Sequence, residues 1–377
     1  MKNHYDAVVI GAGIMGLLSA YEIARAGGRV VVLEKGTVGN LAAGSSGLTR
    51  SLRNDYDSPV YSILARKAWD RWKVLEQELG AKLISPCGCL NVTDATLPGS
   101  SYAKDSVSWL KRDGNPYEEY LTADQLSQHF PQFAQVGYGV LDIEAGLGLA
   151  RSAVETISGC LGEALGVRVI EGCGIQEINR GEVITDKGVF TGARIVIAAG
   201  LGSGKALAKV TKSYYRLQLT TDRPSDCVYY MPQEMERYTT GTLPVFADLD
   251  KGIYGHPIVS GVTRGVKVGL YQPPSIVAGS TQAYDIDTFV STFLPDLKAE
   301  SRVEPVVDTD LCSYDMTPDD NFVVGRLPGF PDIVLATGFC GTGFKFAPVI
   351  AQLVGDLTSG KAPRYDITAF DPERLSS

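Results

Sequence analysis

The chain has 377 residues, of which 44% are hydrophobic and 21% are charged, so we expect a globular protein of about two or three domains. Its 35 lysines and arginines against 43 aspartates and glutamates give a net charge of −8. This balance argues against a nucleic-acid surface or a basic membrane anchor, and it favours a small-molecule partner.

Seven cysteines spread along the chain favour a reducing compartment, so we expect a cytoplasmic protein. The uncharged stretch Ala7–Tyr21 is shorter than a membrane span, so we expect neither a signal peptide nor an anchor.

The first predicted elements form a βαβ unit: a strand at Tyr5–Ile10, a helix at Ile14–Ala26 and a buried strand at Arg29–Leu33. The sequence Gly11-Ala12-Gly13-Ile14-Met15-Gly16 lies between strand and helix, and Glu34 follows the second strand. Such glycines let backbone N–H groups approach a pyrophosphate, and the acidic residue accepts hydrogen bonds from a ribose and disfavours a 2′-phosphate. The unit therefore predicts FAD or NAD, and the alternative is an ordinary tight turn.

Farther along, Pro59–Leu79 predicts a long amphipathic helix. Two less regular segments interrupt the predicted pattern, one from Leu83 to Leu141 and a strand-rich one from Tyr214 to Val307. We interpret both as excursions, in which the chain leaves a sheet-and-helix domain and later returns to it. The other predicted elements are a helix at Ser152–Leu165, strands at Val167–Ile170 and Ile195–Ala199, a glycine turn at Gly200–Gly204, a helix at Ile286–Leu294, a strand at Ile333–Ala336 and a helix at Phe346–Thr358.

Two motifs near the C-terminus, Cys312–Asp319 and Gly338–Phe346, accompany the N-terminal glycine motif and the run Thr49–Arg53. Together they resemble the monomeric sarcosine oxidase family, with its N-methyltryptophan and pipecolate oxidases, over nearly the whole chain. The resemblance implies an α/β fold in which a glutathione-reductase-type FAD-binding Rossmann domain is interleaved with an antiparallel-sheet substrate domain. It implies that the FAD-binding domain is formed by residues 1–85, 146–208 and 309–377, and the substrate domain by residues 86–145 and 209–308.

The resemblance also implies how FAD is held. A cysteine at the position of Cys312 forms a thioether to the flavin in that family, and the alternative is a buried free thiol. The turn Gly338–Lys345 follows a strand and opens a helix, so it would direct backbone N–H groups at the flavin, unless it is an ordinary turn. The residues expected to bind the cofactor are Gly11, Gly13, Ile14, Met15, Gly16, Glu34, Lys35, Thr49, Arg50, Gly200, Cys312, Met316, Gly338, Gly341, Thr342, Gly343, Phe344 and Lys345.

Arg53 and Lys345 match the family's pair that binds the substrate carboxylate, for which a guanidinium offers two parallel donors. Lys267 lies in the middle of an alternating strand, where an inward charge needs a purpose. The family places a lysine there beside the flavin, where a cation assists the reduction of O₂, and the alternative is that Lys267 faces outward. Tyr254 and Tyr314 match tyrosines that line the pocket, although such aromatic residues are equally common in a core.

The chain departs from sarcosine oxidase at Thr342, where that enzyme has histidine, and at Tyr271, near another expected histidine. We therefore expect an altered pocket. His256 is the one candidate base, and a structural role is the simpler interpretation for it. No cluster of cysteines or histidines predicts a metal site.

The resemblance implies an FAD-dependent oxidase of a small secondary α-amino acid, either N-methylated or cyclic, with O₂ as acceptor and imine and hydrogen peroxide as products. One alternative is an enzyme of the glycine or D-amino-acid oxidase type, or a flavin dehydrogenase, acting on a primary or other amine. Others are an FAD-bound subunit of a larger assembly and an NAD dehydrogenase. We expect a monomer with no nucleic-acid or membrane partner.

Overall fold

The computed structural model describes residues 4–41, 43–94, 101–220, 224–225, 227–271, 285–303 and 312–376, and for residues 224–225 and 312–313 the description covers the backbone. The helices in this part of the chain are α1 (Ile14–Arg25), α2 (Pro59–Leu79), α3 (Tyr102–Arg112), α4 (Ala123–His129), α5 (Ala150–Glu163), α6 (Ser203–Leu207), α7 (Ile286–Phe293) and α8 (Gly343–Thr358).

Strands account for much of the remaining described chain. The first twelve are β1 (His4–Ile10), β2 (Val30–Leu33), β3 (Thr49–Leu52), β4 (Ile84–Pro86), β5 (Cys89–Asp94), β6 (Tyr117–Tyr120), β7 (Val136–Asp142), β8 (Gly146–Leu149), β9 (Arg168–Ile170), β10 (Ile175–Asn179), β11 (Glu182–Thr185) and β12 (Gly188–Ile197). They are followed by β13 (Pro224–Ser225), β14 (Cys227–Tyr230), β15 (Val245–Asp248), β16 (Ile253–His256), β17 (Val266–Leu270), β18 (Arg302–Val303), β19 (Cys312–Ser313), β20 (Val323–Leu327) and β21 (Phe330–Thr337).

The first large sheet has a parallel centre in the order β21-β12-β1-β2-β9, extended by the antiparallel strands β10, β11 and β20. Both faces of this sheet are covered. Val9 and Val32 face a core shared with α1, α2, α5 and α8, whereas Val8 and Val31 face a second core beneath β10, β11 and α6. Strands buried on both faces consist of near-continuous apolar residues, which is the pattern that β1 and β2 show in the sequence.

The second large sheet combines strands from two distant parts of the chain in the order β18-β14-β17-β16-β15-β5-β7-β6. It is antiparallel except where β15 pairs in parallel with β5. Alternation divides the side chains of its central strands between two faces. Phe246, Ile253 and Val268 belong to an apolar core with α7, while Ala247 and Lys267 line a cavity on the other face.

The α/β fold predicted from the sequence is confirmed, and the predicted elements lie close to the observed ones. The largest shift is at β12, which was expected to begin at Ile195 and begins at Gly188. The helix α8 was expected to begin at Phe346 and begins at Gly343, because the glycine turn carries no apolar periodicity that would mark the first helical residue. The predicted domain boundaries stay a prediction.

Candidate active site

A cavity of about 780 Å³ lies between the two large sheets. It reaches from the turn before α1 to the N-terminal turn of α8, and its size falls within the roughly 300–1,000 Å³ of small-molecule and cofactor sites. The predicted site residues that line this cavity are Gly11, Gly13, Ile14, Met15, Glu34, Lys35, Thr49, Arg50, Arg53, Gly200, Tyr254, Lys267, Gly341, Thr342, Gly343, Phe344 and Lys345.

Two glycines allow β1, α1 and the end of β12 to approach one another closely. A Cβ atom on Gly11 would lie 2.6 Å from the carbonyl oxygen of Ala198, and Gly11 also has a φ of +103°. A Cβ atom on Gly16 would lie 1.9 Å from the carbonyl oxygen of Gly11. Gly16, which the sequence predicts at the cofactor, therefore packs α1 against β1 and does not line the cavity.

The N-terminus of α1 is open toward the cavity. Its N-cap residue, Gly13, provides no side-chain hydrogen bond, and a Cβ atom there would meet only Ser45 Oγ, at 3.4 Å. The N–H of Ile14 donates to the same oxygen over 3.1 Å. A helix N-terminus carries a partial positive charge and free N–H donors, so this end of the cavity suits a phosphate group.

Glu34 lies beside this helix terminus, directly after β2, and its carboxylate is held by the backbone. Oε2 accepts from the N–H of Ala12 and Oε1 from the N–H of Gly36, both over 2.8 Å. Glu34 and its neighbour Lys35 both line the cavity. An uncapped helix N-terminus next to a fixed carboxylate matches the pyrophosphate and ribose of a dinucleotide, so these residues fit the adenosine half of FAD.

Near the N-terminus of α8 a second tight turn lines the opposite end of the cavity. Thr342, the residue before the helix, forms no side-chain cap, and Gly341 has a φ of +73°. The turn is held by Asp315, whose Oδ2 accepts from the N–H of Gly338 over 2.9 Å and whose pKa burial raises to about 6. Gly338 itself packs against the side chains of Thr317, Val323 and Leu219 and does not line the cavity, contrary to its predicted place at the cofactor.

Arg53 and Lys345 bring two cations to this end of the cavity. Lys345 lies in the first turn of α8 and is 8% exposed, and its Nζ donates to the carbonyl of Thr342 over 3.2 Å. Burial, and next the charge of Arg53, lowers the pKa of Lys345 to about 7. Arg53 follows β3 and forms an ion pair with Asp55, with 3.0 Å between Nη1 and Oδ2. Two buried cations on adjacent elements offer a site for an anion such as a carboxylate.

One wall of the cavity is a hydrogen-bonded group on β3, β16 and β17. His256 lies between two hydroxyls, with Nδ1 2.8 Å from Thr49 Oγ1 and Nε2 2.9 Å from Ser51 Oγ. Lys267, opposite His256 in the β16–β17 register, is 2% exposed, and its Nζ lies 5.9 Å from the centre of the Tyr254 ring. The alternative in which Lys267 faces outward is therefore wrong. Both ring nitrogens of His256 have hydrogen-bond partners, as expected for a structural histidine, and His256 also lines the cavity.

Arg50 and Gly200 line the cavity in the way the sequence predicts. The guanidinium of Arg50 is held by two backbone carbonyls, with Nη1 2.9 Å from the oxygen of Thr49 and Nη2 3.2 Å from the oxygen of Gly44. Gly200 adopts a φ of +50°, and its carbonyl accepts from Thr337 Oγ1 over 3.2 Å. Arg50 lies within β3 and was predicted from the resemblance, whereas Gly200 opens the glycine turn after β12.

Two further residues predicted at the cofactor are not placed there. Met316 packs with Tyr314 and Cys340 in a small apolar cluster and does not line the cavity. The backbone of Cys312 pairs with that of Ser225, but the side chain of Cys312 lies outside the described part of the chain. The thioether therefore stays a prediction.

Sequence reasoning missed part of the cavity wall. Val245, Ala247 and Leu249 contribute alternate side chains of β15 and the turn after it, and Cys89 of β5 lies beside them. The alternation itself is visible in the sequence, but nothing there shows which face of the strand meets the cavity. Cys89, predicted as a structural thiol, is fully buried and also lines the cavity.

The described residues contain no group of three or more histidine, cysteine, aspartate or glutamate side chains that could hold a metal ion. Within the same ranges, no helix is long and apolar enough to cross a membrane. A parallel sheet with an open helix terminus and a fixed carboxylate, covered by a second sheet that supplies the buried cation Lys267, is typical of dinucleotide-dependent oxidoreductases.

Residues 6–357 match the model of the family described as "FAD dependent oxidoreductase", and the chain belongs to that family. It is 28% identical to peroxisomal sarcosine oxidase of Mus musculus, covering 100% of this chain and 97% of the relative. It is 25% identical to N-methyl-L-tryptophan oxidase of Yersinia pestis, covering 98% and 99%. The crystal structure of L-proline dehydrogenase from P. horikoshii superposes with a TM-score of 0.80 at 19% identity, covering 100% and 99%. The resemblance to sarcosine oxidase-like enzymes and the expectation of FAD are thus confirmed.

Proposed function

We propose that this protein is an FAD-dependent oxidase of a small secondary α-amino acid, N-methylated or cyclic, that converts the amine and O₂ into an imine and hydrogen peroxide. The observation that carries the proposal is the pair of cations at the end of the cavity opposite the dinucleotide motif, the buried Lys345 and the largely buried Arg53. The names of the curated relatives, sarcosine oxidase and N-methyl-L-tryptophan oxidase, support the same substrate class.

When bound, FAD would accept a hydride from the carbon beside the substrate nitrogen and, together with the proton that the nitrogen loses, would pass two electrons and two protons to O₂ to give hydrogen peroxide. The chain supplies the positioning. Arg53 and Lys345 hold the substrate carboxylate, and Tyr254 bounds the space beside it. The ammonium of Lys267 stabilises negative charge on O₂ as it is reduced. Water then hydrolyses the imine if the substrate is acyclic, whereas a cyclic substrate gives a product in which the imine stays within the ring.

The remaining expectations form part of the same proposal. Cys312 tethers FAD through a thioether, and the N-terminal turn of α8 holds the cofactor with backbone N–H groups. The FAD-binding domain comprises residues 1–85, 146–208 and 309–377, and the substrate domain comprises residues 86–145 and 209–308. The protein acts as a cytoplasmic monomer without a membrane or nucleic-acid partner.

A peroxide assay tests this proposal. Purified protein is offered sarcosine, another N-methyl amino acid, pipecolate and proline, and at least one of them should yield peroxide in step with the O₂ consumed. Arg53→Gln should raise KM for that substrate about 100-fold, since it leaves a buried carboxylate poorly paired. Arg29→Gln removes an exposed arginine that pairs with Asp6 and serves as the matched control, with unchanged KM.

Three results would contradict the proposal in different ways. If none of the four compounds yields peroxide or reduces the flavin, the substrate class is wrong. If a compound reduces the flavin but O₂ does not reoxidise it, the protein is a dehydrogenase. If Arg53→Gln leaves KM unchanged, the carboxylate is bound elsewhere.

A further inference from the structure

The guanidinium of Arg53 already has a partner inside the protein. Nη1 lies 3.0 Å from Asp55 Oδ2 and also donates to the carbonyl oxygen of Asp55 over 3.1 Å. The hydroxyl of Tyr102, on α3, contacts the same Nη1 and donates to that carbonyl over 2.6 Å. The carboxylate of Asp55 is completely buried. A buried carboxylate thus lies against the cation that is expected to bind a substrate carboxylate.

These contacts hold Arg53 on one edge only. Within the described ranges, every hydrogen bond that the guanidinium donates uses Nη1. The ring of Tyr56 lies against its face, with 4.7 Å between Cζ and the ring centre. Because Arg53 also lines the cavity, the edge formed by Nε and Nη2 remains for a ligand. Asp55 therefore fixes the orientation of the guanidinium without occupying both of its edges.

Asp55 is itself held from the second sheet. Asn91 of β5 donates through Nδ2 to Asp55 Oδ2 over 2.7 Å, whereas Oδ1 of Asp55 is buried with no hydrogen bond from the described residues. Nearby, Asp142 accepts from the backbone N–H and the side-chain amide of Asn54. Burial, and next the charge of Asp55, raises the pKa of Asp142 to about 7. The ion pair thus belongs to a buried polar network in which each charge has a fixed place.

The charges at this end of the cavity can be counted. At pH 6, Arg53 and protonated Lys345 contribute two positive charges and Asp55 contributes one negative charge, while Asp142, whose pKa is raised to about 7, is mostly uncharged. One carboxylate from a ligand would therefore bring the group to neutrality. A second carboxylate would give the group a net negative charge, and uncompensated charge in a poorly solvated site is strongly disfavoured.

We propose that Asp55 is a specificity-determining residue that orients Arg53 and restricts this site to substrates with a single carboxylate. This inference rests on the proposed function, because it assumes that a carboxylate binds between Arg53 and Lys345. Amino acids with an acidic side chain are excluded by charge, whatever their size. Asp55 acts through Arg53 and is a positioning residue, not a catalytic one.

The test compares two inert ligands of nearly the same shape, oxalate with two carboxylates and oxamate with one, each fully ionised at the pH used. Their dissociation constants are measured on the FAD-loaded protein at pH 6, by calorimetry and by the change in flavin absorption. Wild type should bind oxamate at least about tenfold more tightly than oxalate. Asp55→Asn should reduce this preference to about twofold or reverse it, because the site then carries one more positive charge.

The ratio of the two constants is taken on one sample, so a partial loss of folded protein does not affect it. Glu22→Gln is the matched control, since Glu22 forms a buried ion pair with Arg71 between α1 and α2, away from the cavity, and its ratio should equal that of wild type. If Asp55→Asn does not fold, Asp55→Ser is measured in its place. The preference of wild type is in itself a test that needs no variant.

The outcomes separate this inference from the function on which it rests. If wild type binds both ligands equally well, or if removing the charge of Asp55 leaves the ratio unchanged, the role of Asp55 is wrong while the carboxylate site stands. If neither ligand binds and the oxidase activity does not depend on Arg53, the carboxylate site is wrong and the inference is overturned with it.

Discussion

At the scale of single residues, the cavity combines groups whose charge depends on what they contact. Lys345 is buried against Arg53, which lowers its pKa, while Asp55 opposes that effect. A carboxylate bound beside Lys345 would favour its charged form and raise the pKa again. Ligand binding and proton uptake by Lys345 are therefore linked.

The first consequence is a pH dependence of carboxylate binding. With its pKa at about 7, Lys345 is protonated in the free protein below that pH and neutral above it. Acetate, which does not change its own charge in this range, should bind best near pH 6 and lose about tenfold in affinity for each pH unit above 7. Arg53 stays charged, because Asp55 holds its pKa high, and the buried thiol of Cys89 stays neutral, because its pKa is raised.

Lys345→Met gives the control for this prediction. Its acetate affinity should be weak and should fall by far less than tenfold per pH unit from pH 6 to 9, because Asp142, whose pKa is raised to about 7, still ionises there. Stability provides a second readout, because between pH 7 and 10.5 the unfolded chain keeps the lysine proton that the folded protein has lost. The free energy of unfolding of wild type should thus rise with pH across this window, and the variant should lack that rise. A pH-independent affinity in wild type would contradict the assignment.

The site residues that could be predicted from the sequence differ physically from those that could not. Gly11, Glu34 and Lys345 belong to local patterns, in which a turn or a helix start follows a strand. Asp55 and Tyr102 act only because a residue after β3 meets a residue of α3, far along the chain. No local pattern encodes that meeting or shows that the carboxylate of Asp55, two residues after Arg53, turns inward to pair with it.

At the scale of elements, two helix N-termini, those of α1 and α8, line the same cavity. Neither N-cap residue provides a side-chain hydrogen bond, so each terminus can offer backbone donors to a ligand, although Ser45 Oγ already accepts from Ile14 of α1. The start of α8 is set by a glycine turn packed against an aromatic ring. A Cβ atom on Gly341 would lie 2.9 Å from atoms of the Tyr314 ring.

Gly341→Ala should therefore disturb the turn that precedes α8. We expect a loss of about 1–3 kcal/mol in the free energy of unfolding, since the residue combines a positive φ with a close contact. The amount of FAD per protein, measured from the ratio of visible to ultraviolet absorption, should also fall.

Gly360→Ala is the matched control for this variant. Gly360 follows the end of α8 with a φ of +76°, close to that of Gly341, and a Cβ atom there would meet nothing within 4 Å. It should lose stability by backbone strain alone and should keep its FAD. Equal loss of FAD in the two variants would show that the contact with Tyr314 does not shape the cofactor site.

At the scale of the whole molecule, the chain leaves the first sheet twice to build the second and returns each time. The general α/β class follows from the sequence, because the βαβ unit at the start and the strand–turn–helix at the end are both local signals. The parallel pairing of β15 with β5 is not local, since it joins the two excursions to each other. Periodicity shows that a strand exists but not its neighbour, which is why the cavity wall contributed by β15 was missed.

The proposed function places a flavin in this cavity, and the proposed tether joins it to Cys312. The most direct test is to precipitate the purified protein with acid and to ask where the yellow colour goes. We predict that the colour stays with the wild-type polypeptide and that Cys312→Ser releases it into the supernatant. Colour in the wild-type supernatant would contradict the tether alone. A colourless protein that takes up no added FAD would contradict the assignment of this cavity to FAD.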